Sequence, residues 1–568
     1  MTTLKALLTA PKATLASLSD LIAGDPAIPD SRRAEMLSAL KTLAKVLGRP
    51  LHMIPAEPAD MRTLINRAVP IAAGISGPRW RNVKSLVRKA LARLDPQVIP
   101  ARSQTGLLPE WHALIARPEA QPLHRGLSRF SKYCSLRGLP PKAVTQAVYD
   151  AFYDDLFARG LMRCPRETQQ TAGRTWNTAV TTVPGWPSVT LTIADFRRNA
   201  SLPWGAFPAS LQADVEAYLT PRDTDPFNLS RDAPTLRPTT IAGKKLQLRQ
   251  FATALVQSGR EPASILTLAD LVDPQAAEAG LRVLWERANK TKTSRNYAMA
   301  YLLLTTARHW VKASPATLKA LETFSRNLNP KISGMRSKNK TRLRQFDNPR
   351  ILAALLTEPG RAFAKACRVV SPTKAEARQA QLALAIEILL FAIIRVGNLA
   401  ALEIGRTLIL DGSSIGHIVI DGAEVKNDWD IELPLPKVVL EKIRTYLDRF
   451  HPLLAPPGCK MLFPSADGGH KRSPVLGTQI TRFIRARCGI EMNPHLFRHL
   501  AAKLYLYTHP GDYGIVRLLL GHKSIDTTMQ TYCGTEHAAA FKAYDAFLTG
   551  MRGDLTERAP MRYGQGQP

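Results

Sequence analysis

Apolar residues recur at helical spacing along most of this chain, and strand-like alternation is confined to one short region. Between residues 31 and 94, RRAEMLSALKTLAKVLG closes on a glycine, and Trp80, Val83, Val87, Leu91 and Leu94 form a stripe spaced by three and four. After Asn348 the helical pattern resumes. There QLALAIEILLFAIIRVGNLAALEI predicts a nearly all-apolar helix ending at Arg395-Val396-Gly397, with Asn398 set to cap the next one. Further on, GHIVI, AEVK and DIELPLP alternate or cluster apolar residues, with turn signals between them at Asp421-Gly422 and Asn427-Asp428. They predict a small antiparallel sheet in a fold that is otherwise mainly α.

The chain's 568 residues exceed what one hydrophobic core serves, so several domains are expected. The pattern divides them into a helical domain over 1–100, a second over 107–220, a third over 235–330, a mixed α/β domain over 345–552 and a flexible tail over 553–568. The two middle domains share a spacing. Leu127, Phe130, Gly138, Pro141 and Val144 are matched 121 residues later by Leu248, Phe251, Gly259, Pro262 and Ile265, and Arg174 and Trp176 by Arg295 and Tyr297. Each copy reads as an amphipathic helix stopped at glycine, a proline-led turn, and a later helix opened by an arginine and an aromatic. Between the copies, SLPWGAFP and TPRDTDPFNLSRDAPTLRP read as linkers.

Charge narrows the function. The chain carries 77 Lys and Arg against 46 Asp and Glu, a net charge of +31, which calls for a polyanionic partner. A membrane surface is the weaker choice, because the longest apolar run, residues 382–394, contains Glu387 and falls short of the roughly 20 residues of a membrane span. The first twenty residues hold no uninterrupted apolar core, so no secretory signal is expected. Six cysteines with no CxxC pair argue against a zinc site and a disulfide framework, and imply a reduced, cytoplasmic chain. Neither a phosphate-cradling G-x-x-x-x-G-K-[ST] loop nor a cluster of carboxylates is present, so no metal and no cofactor is expected.

Basic residues gather in three places. Arg79, Arg81, Lys84, Arg88, Lys89 and Arg93 surround the apolar stripe near residue 90, either as a solubilising face or as a contact to a DNA backbone. Lys290, Lys292 and Arg295 stand at a predicted helix start, where helix N-termini and cations act together on phosphates. Residues 326–344 hold seven basic residues and no acid; Arg336, Lys338, Lys340, Arg342 and Arg344 among them are candidates to cross a phosphate backbone.

Candidate chemistry lies in residues 493–535. His495 and Arg498 stand three apart and share one face of a predicted helix. Leu520-Gly521-His522 is a helix end with a glycine stop, Ser524 to Thr528 a polar restart, and Tyr532 follows His522 by ten residues. Imidazoles, a guanidinium and a phenol gathered at helix ends in a basic protein suit the handling of phosphate. Upstream, Arg395 ends an apolar helix, where a charge is costly unless it meets water or an anion, and Lys426 sits on a turn.

This ordered set, His-x-x-Arg, Leu-Gly-His and a following tyrosine, resembles the tyrosine recombinase, or phage integrase, family. The Arg395 segment is similar to the family's first-arginine motif, with Asn398 standing where the family has glutamate and Leu399 retained. The resemblance implies a helical, SAM-like core-binding domain over 235–330, a possible duplicate over 107–220, and a mixed α/β catalytic domain over 345–552. It implies that Tyr532 is the nucleophile, that Arg395, His495, Arg498 and His522 hold the phosphate, and that Lys426 protonates the leaving oxygen. His499 is expected to pack or to support the site from behind. The implied activity is site-specific recombination of double-stranded DNA through a 3′-phosphotyrosine, for a mobile element or phage, by a tetramer on DNA, with accessory recombinase or DNA-bending proteins as further partners. A type IB topoisomerase or a non-catalytic DNA-binding protein on the same scaffold are the rivals.

Overall fold

The computed structural model describes residues 13–94, 106–194, 201–220, 236–331, 334–412, 415–426, 428–532 and 537–558. It divides into two compact units, one of residues 1–194 with 334–568 and one of residues 195–333.

The first unit contains three helical layers. In the N-terminal layer, α1 (Leu15–Gly24), α2 (Asp30–Leu47), α3 (Pro58–Arg67) and α4 (Gly77–Leu94) enclose one core. Helix α2 stops as its sequence indicates, at Gly48 with φ 63°. The stripe on α4 faces inward through Trp80, Val83, Val87 and Leu91, while Leu94 remains exposed. In the next layer, α5 (Pro109–Ile115), α6 (His124–Leu136), α7 (Gln146–Arg159) and α8 (Pro165–Thr182) surround Trp111, Phe130 and Trp176. A buried arginine joins these two layers. Arg62 donates to the carbonyls of Leu156, Phe157 and Gly160 at 3.2, 2.8 and 3.2 Å.

The second unit holds α9 (Ala209–Leu219), α10 (Pro238–Gln257), α11 (Leu268–Val272), α12 (Pro274–Arg287), α13 (Ser294–Thr306) and α14 (Pro315–Leu328). The spacing shared by the two middle segments has a local counterpart. Helices α6 and α10 both run out at a glycine of positive φ, Gly138 at 65° and Gly259 at 104°. A 3-10 turn beginning at Pro141 or Pro262 follows, and Val144 or Ile265 is buried next. The division between segments differs from the expected one. Phe207, Leu211, Val215 and Leu219 are buried in the core of the second unit, so SLPWGAFP is a wall of that unit and α9 belongs to it. The second linker falls mostly outside the described residues.

The remaining layer of the first unit begins earlier than expected. The basic run forms a helix, α15 (Ser337–Arg344), whose Leu343 joins Met335 in the large core. Beyond it come α16 (Pro349–Cys367) and α17 (Lys374–Ala392). Thr373 and Glu376 form a capping box that starts α17, and its acid Glu387, the one charge in the apolar run, pairs with Lys442 at 2.7 Å. From Ala383 to Leu389 helix α17 is buried on every side, as its apolar sequence demands. It ends at Ala392, with Ile393 as its C-cap, rather than at Arg395, and a short α18 (Val396–Ala400) follows with Arg395 at its N-cap. Asn398 therefore lies inside α18 and caps nothing.

The sheet is antiparallel in the order β1-β2-β3, with β1 (Leu408–Asp411), β2 (Ile415–Ile420) and β3 (Ile431–Pro434). Leu408 pairs with Ile418, and Ile420 with Ile431. GHIVI and DIELPLP supply strands, but AEVK does not; the third strand is LILD, upstream of both. AEVK instead folds into the β2–β3 connection. Asp421 accepts from the Ala423 amide at 2.7 Å, Asp430 accepts from the Gly422 amide at 2.7 Å, and Val425 is buried. The chain continues through α19 (Lys437–Arg449), α20 (Ser473–Cys488), α21 (Pro494–Thr508), α22 (Tyr513–Leu520), α23 (Ile525–Tyr532) and α24 (His537–Arg558). Helix α24 runs on to Arg558, into the stretch expected as a tail, and residues 559–568 lie outside the described residues. No helix among the described residues is long and apolar enough to cross a membrane.

Candidate active site

Two helix ends and one strained turn build the site. Asn493 caps α21 by accepting from the Leu496 amide at 3.0 Å, which fixes the helical phase of His495, Arg498 and His499. Arg498 is buried, and its guanidinium donates to the carbonyl of Ile393 at 2.8 Å and to that of Leu520. These carbonyls end α17 and α22. Ile393 has φ 54°, a conformation that a β-branched residue rarely adopts. The bond from Arg498 holds this turn, and the turn sets Arg395 at the start of α18. Arg395 is half-buried, and burial lowers its pKa. Burial and the nearby charge of Arg395 push Arg498 down to about 10, while Tyr532 draws it up.

The histidines come from two of these ends. Gly521, at φ 55°, stops α22 and places His522, whose Nδ1 lies 2.9 Å from the Thr528 hydroxyl on α23. Burial, then the charges of Arg498, Arg395 and His495, push His522 down to about 4. His495 is lowered too, by burial and then by Arg498, Arg395 and Lys426. The charges of both arginines and of the lysine thus all act on one imidazole. Tyr532 ends α23 and is buried; burial raises its pKa and Arg498 pulls it back.

Sequence reading set His499 behind the site, but its ring stands directly against the tyrosine hydroxyl. His499 Nδ1 is 2.9 Å from the Tyr532 hydroxyl, and Asn339 of α15 lies 3.4 Å from the other ring nitrogen. Their rings are 5.7 Å apart between centroids, and the His495 ring meets His499 at 4.8 Å. The available signal was spacing, because His499 follows His495 by one helical turn. Burial, followed by His495, Arg498 and His522, pushes His499 down to about 4.

Lys426 is exposed in the β2–β3 connection. Two contacts tie that connection to the segment bearing His522. Asp428 pairs with Lys523 at 2.9 Å, and the Arg517 guanidinium sits 5.3 Å over the Trp429 ring. Asn427 lies outside the described residues. Asn398, in the place of an expected acid, buries its side-chain nitrogen without a hydrogen-bond partner among the described residues.

The basic candidates separate. Lys290 and Lys292 are exposed just before α13, and Arg295 donates to Gln250 at 2.8 Å beside a pocket of about 250 Å3 in the second unit. Arg336, at the N-cap of α15, shares one exposed face with Lys340 and Arg344. Lys338 and Arg342 lie on another, with Arg342 3.5 Å from Glu491.

The model of the phage integrase family matches residues 361–538, which contain all six residues expected at the site. A search of curated proteins finds no match. Among solved structures, the XerA recombinase is 19% identical, over 55% of this chain and 92% of its own, with a TM-score of 0.25. A lambda integrase tetramer bound to a Holliday junction is 17% identical, over 56% and 75%, with a TM-score of 0.34. The Tn1549 transposon integrase in complex with circular intermediate DNA is 13% identical, over 55% and 94%, with a TM-score of 0.33. Over residues 361–538, about a third of its length, the chain matches the phage integrase family.

Proposed function

We propose that this protein is a site-specific recombinase that cuts and rejoins double-stranded DNA through a covalent bond to Tyr532. The observation that carries this reading is the convergence of Arg395, Arg498, His495 and His522 in one site at the end of the tyrosine's helix. The phenol oxygen of Tyr532 attacks a phosphodiester, forming a 3′-phosphotyrosine while the bond to the 5′ oxygen breaks. Forked donors from Arg395 and Arg498 meet the nonbridging oxygens as negative charge builds, and His495 and His522 add hydrogen bonds. Lys426, on its exposed turn, gives a proton to the departing 5′ oxygen. The phosphotyrosine keeps the bond energy, so the reverse attack rejoins the strand.

The phage integrase match favours recombination over a relaxing enzyme. The basic faces of α13 and α15 serve as backbone contacts, and the assembly on DNA is a tetramer joined through α24 and working with accessory proteins. A mobile element or phage in the cytoplasm is the setting that fits. A nicked suicide duplex tests the chemistry. Wild-type protein traps a covalent adduct, and Tyr532→Phe loses it. An adduct that persists in that variant and disappears in Tyr544→Phe moves the nucleophile to α24.

A further inference from the structure

The three layers of the first unit enclose a cleft of about 1500 Å3. Its walls come from α4, from α6 and the start of α8, and from α15 with the C-terminal end of α20. None of Arg395, Lys426, His495, Arg498, His522 and Tyr532 lines it. Twelve basic side chains do, against two acidic ones.

The joints around the cleft are tightly built. A Cβ on Gly77, at the start of α4, would stand 2.9 Å from the Arg487 carbonyl oxygen, and one on Gly489 3.0 Å from Pro70. Arg350 donates to the Ala72 carbonyl at 3.3 Å, as Arg62 does to three carbonyls at the other joint. These arginines satisfy backbone acceptors, and the cations inside the cleft are arranged differently. Arg81, Lys84 and Arg88 follow one another on a single face of α4, with Lys84 and Arg88 half-buried. Burial and the charges of Arg88 and Arg81 lower the Lys84 pKa. On the opposite wall one carboxylate, Glu491, is shared by Arg163 at 3.4 Å, Arg342 at 3.5 Å and Arg485. So large an excess of like charge in a concave site repels itself unless an anion enters.

The occupant is polymeric. Small-molecule pockets are mostly apolar, hold few polar groups and span ~300 to 1,000 Å3. A membrane surface does not enter a cleft walled on three sides. We propose that this cleft binds a nucleic-acid backbone at a second site, separate from the one that cleaves strands, with Arg81, Lys84 and Arg88 on successive phosphates. The charge and shape of the cleft do not depend on whether Tyr532 is the nucleophile.

Lysine acylation of the full-length protein, read by mass spectrometry, tests it without altering the fold. A random-sequence 40-base-pair duplex at about ten times its Kd should slow modification of Lys84 about tenfold, the occupancy that concentration implies. Equal modification with and without duplex overturns the proposal. So does equal protection by polyglutamate at matched charge, which would mark a dock for acidic proteins. In parallel, Arg81→Gln/Lys84→Gln/Arg88→Gln should reduce the slope of log K against log salt by about 2 to 3. The charge-keeping Arg81→Lys/Arg88→Lys should retain the slope. Adduct formation on a saturating short nicked duplex should stay within about twofold of wild type, since these residues lie outside the transition state. Loss of Lys84 protection with a normal adduct rejects the second site alone; protection without any adduct rejects the recombinase reading alone.

Discussion

The Nδ1 atom of His499 lies 2.9 Å from the hydroxyl of Tyr532, and both side chains are buried. Burial makes this phenol harder to ionise, so it needs a proton acceptor at hand as it attacks. His499, pushed down to about 4, is neutral at pH 7 and keeps one ring nitrogen able to accept. The Asn339 amide, 3.4 Å from the other nitrogen, orients the ring. His499→Phe should therefore slow single-turnover adduct formation on the order of 100-fold, the usual contribution of a positioned base, with DNA affinity unchanged. Cleavage at the wild-type rate would reduce His499 to a packing residue.

The two arginines should fail differently. Arg498 satisfies two buried carbonyls and holds the Ile393 turn, whereas no hydrogen bond from Arg395 to the protein is seen among the described residues. Arg395→Ala should raise the cleavage barrier by roughly 2 to 4 kcal/mol, as loss of an oxyanion donor does, and leave the melting temperature alone. Arg498→Ala should lose cleavage and also destabilise the fold by about 1 to 3 kcal/mol for each orphaned acceptor. Thermal melts beside single-turnover rates separate the two. Equal melting of both variants would remove the structural role from Arg498.

Acid should weaken the fold through the same histidine. Unfolded, His499 takes a proton near its ordinary 6.5; folded, it does so only near 4. Between those values the unfolded chain binds more protons, so stability rises with pH across the window and falls as pH drops from 6.5. At pH 5 the loss at this group is on the order of 2 kcal/mol. Melting curves between pH 7 and 5 should show the fall, and His499→Gln should make it shallower. Identical pH slopes in the two proteins would rule out His499 as its source.

What the chain reveals by itself follows local rules. Asn493 before α21 and Gly521 after α22 are capping signals that fix helical phase, so the order of His495, Arg498, His522 and Tyr532 was legible. The end of α17 was not, because Ile393 opposes its own propensity and is held by Arg498, 105 positions away. LILD was hidden because AEVK looks as strand-like, and only the carboxylates of Asp421 and Asp430 fold it into a turn. Amphipathicity tells that α9 buries a face but not against which core.

That last point moves a domain boundary and makes a test. If the third domain began at 235, as the sequence pattern suggests, a chain starting at residue 231 would keep the second unit whole. It removes Leu211, Val215 and Leu219 from that core, each worth about 1.5 to 3 kcal/mol of burial. A fragment of residues 201–331 should melt cooperatively, and one of residues 231–331 should melt far lower or not fold. Equal stability would return α9 to the preceding segment.

The terminal helix bears on assembly. On α24, Phe541, Tyr544 and Phe547 are 71%, 58% and 58% exposed, and Met551 44%. They recur at three and four residues, so they form one apolar face, and on this protomer it is left open to solvent. A face of this kind calls for a partner, and a second copy of the chain offers one. If each protomer lends α24 to the next, the contact is head-to-tail, and it closes into a ring when its rotation permits. Burying two of the rings contributes on the order of 3 to 6 kcal/mol before association costs are subtracted. That is enough to join protomers already held side by side on DNA, and too little for a stable ring at low concentration in solution. Removing residues 537–568 should leave binding to a single site unchanged in a gel shift while greatly reducing recombination between two sites on a plasmid. Phe541→Ser/Phe547→Ser should do the same in the full-length chain, which separates loss of the apolar face from loss of the helix. Normal two-site recombination by both proteins would mean that α24 joins no neighbour and that the protomers couple through another surface.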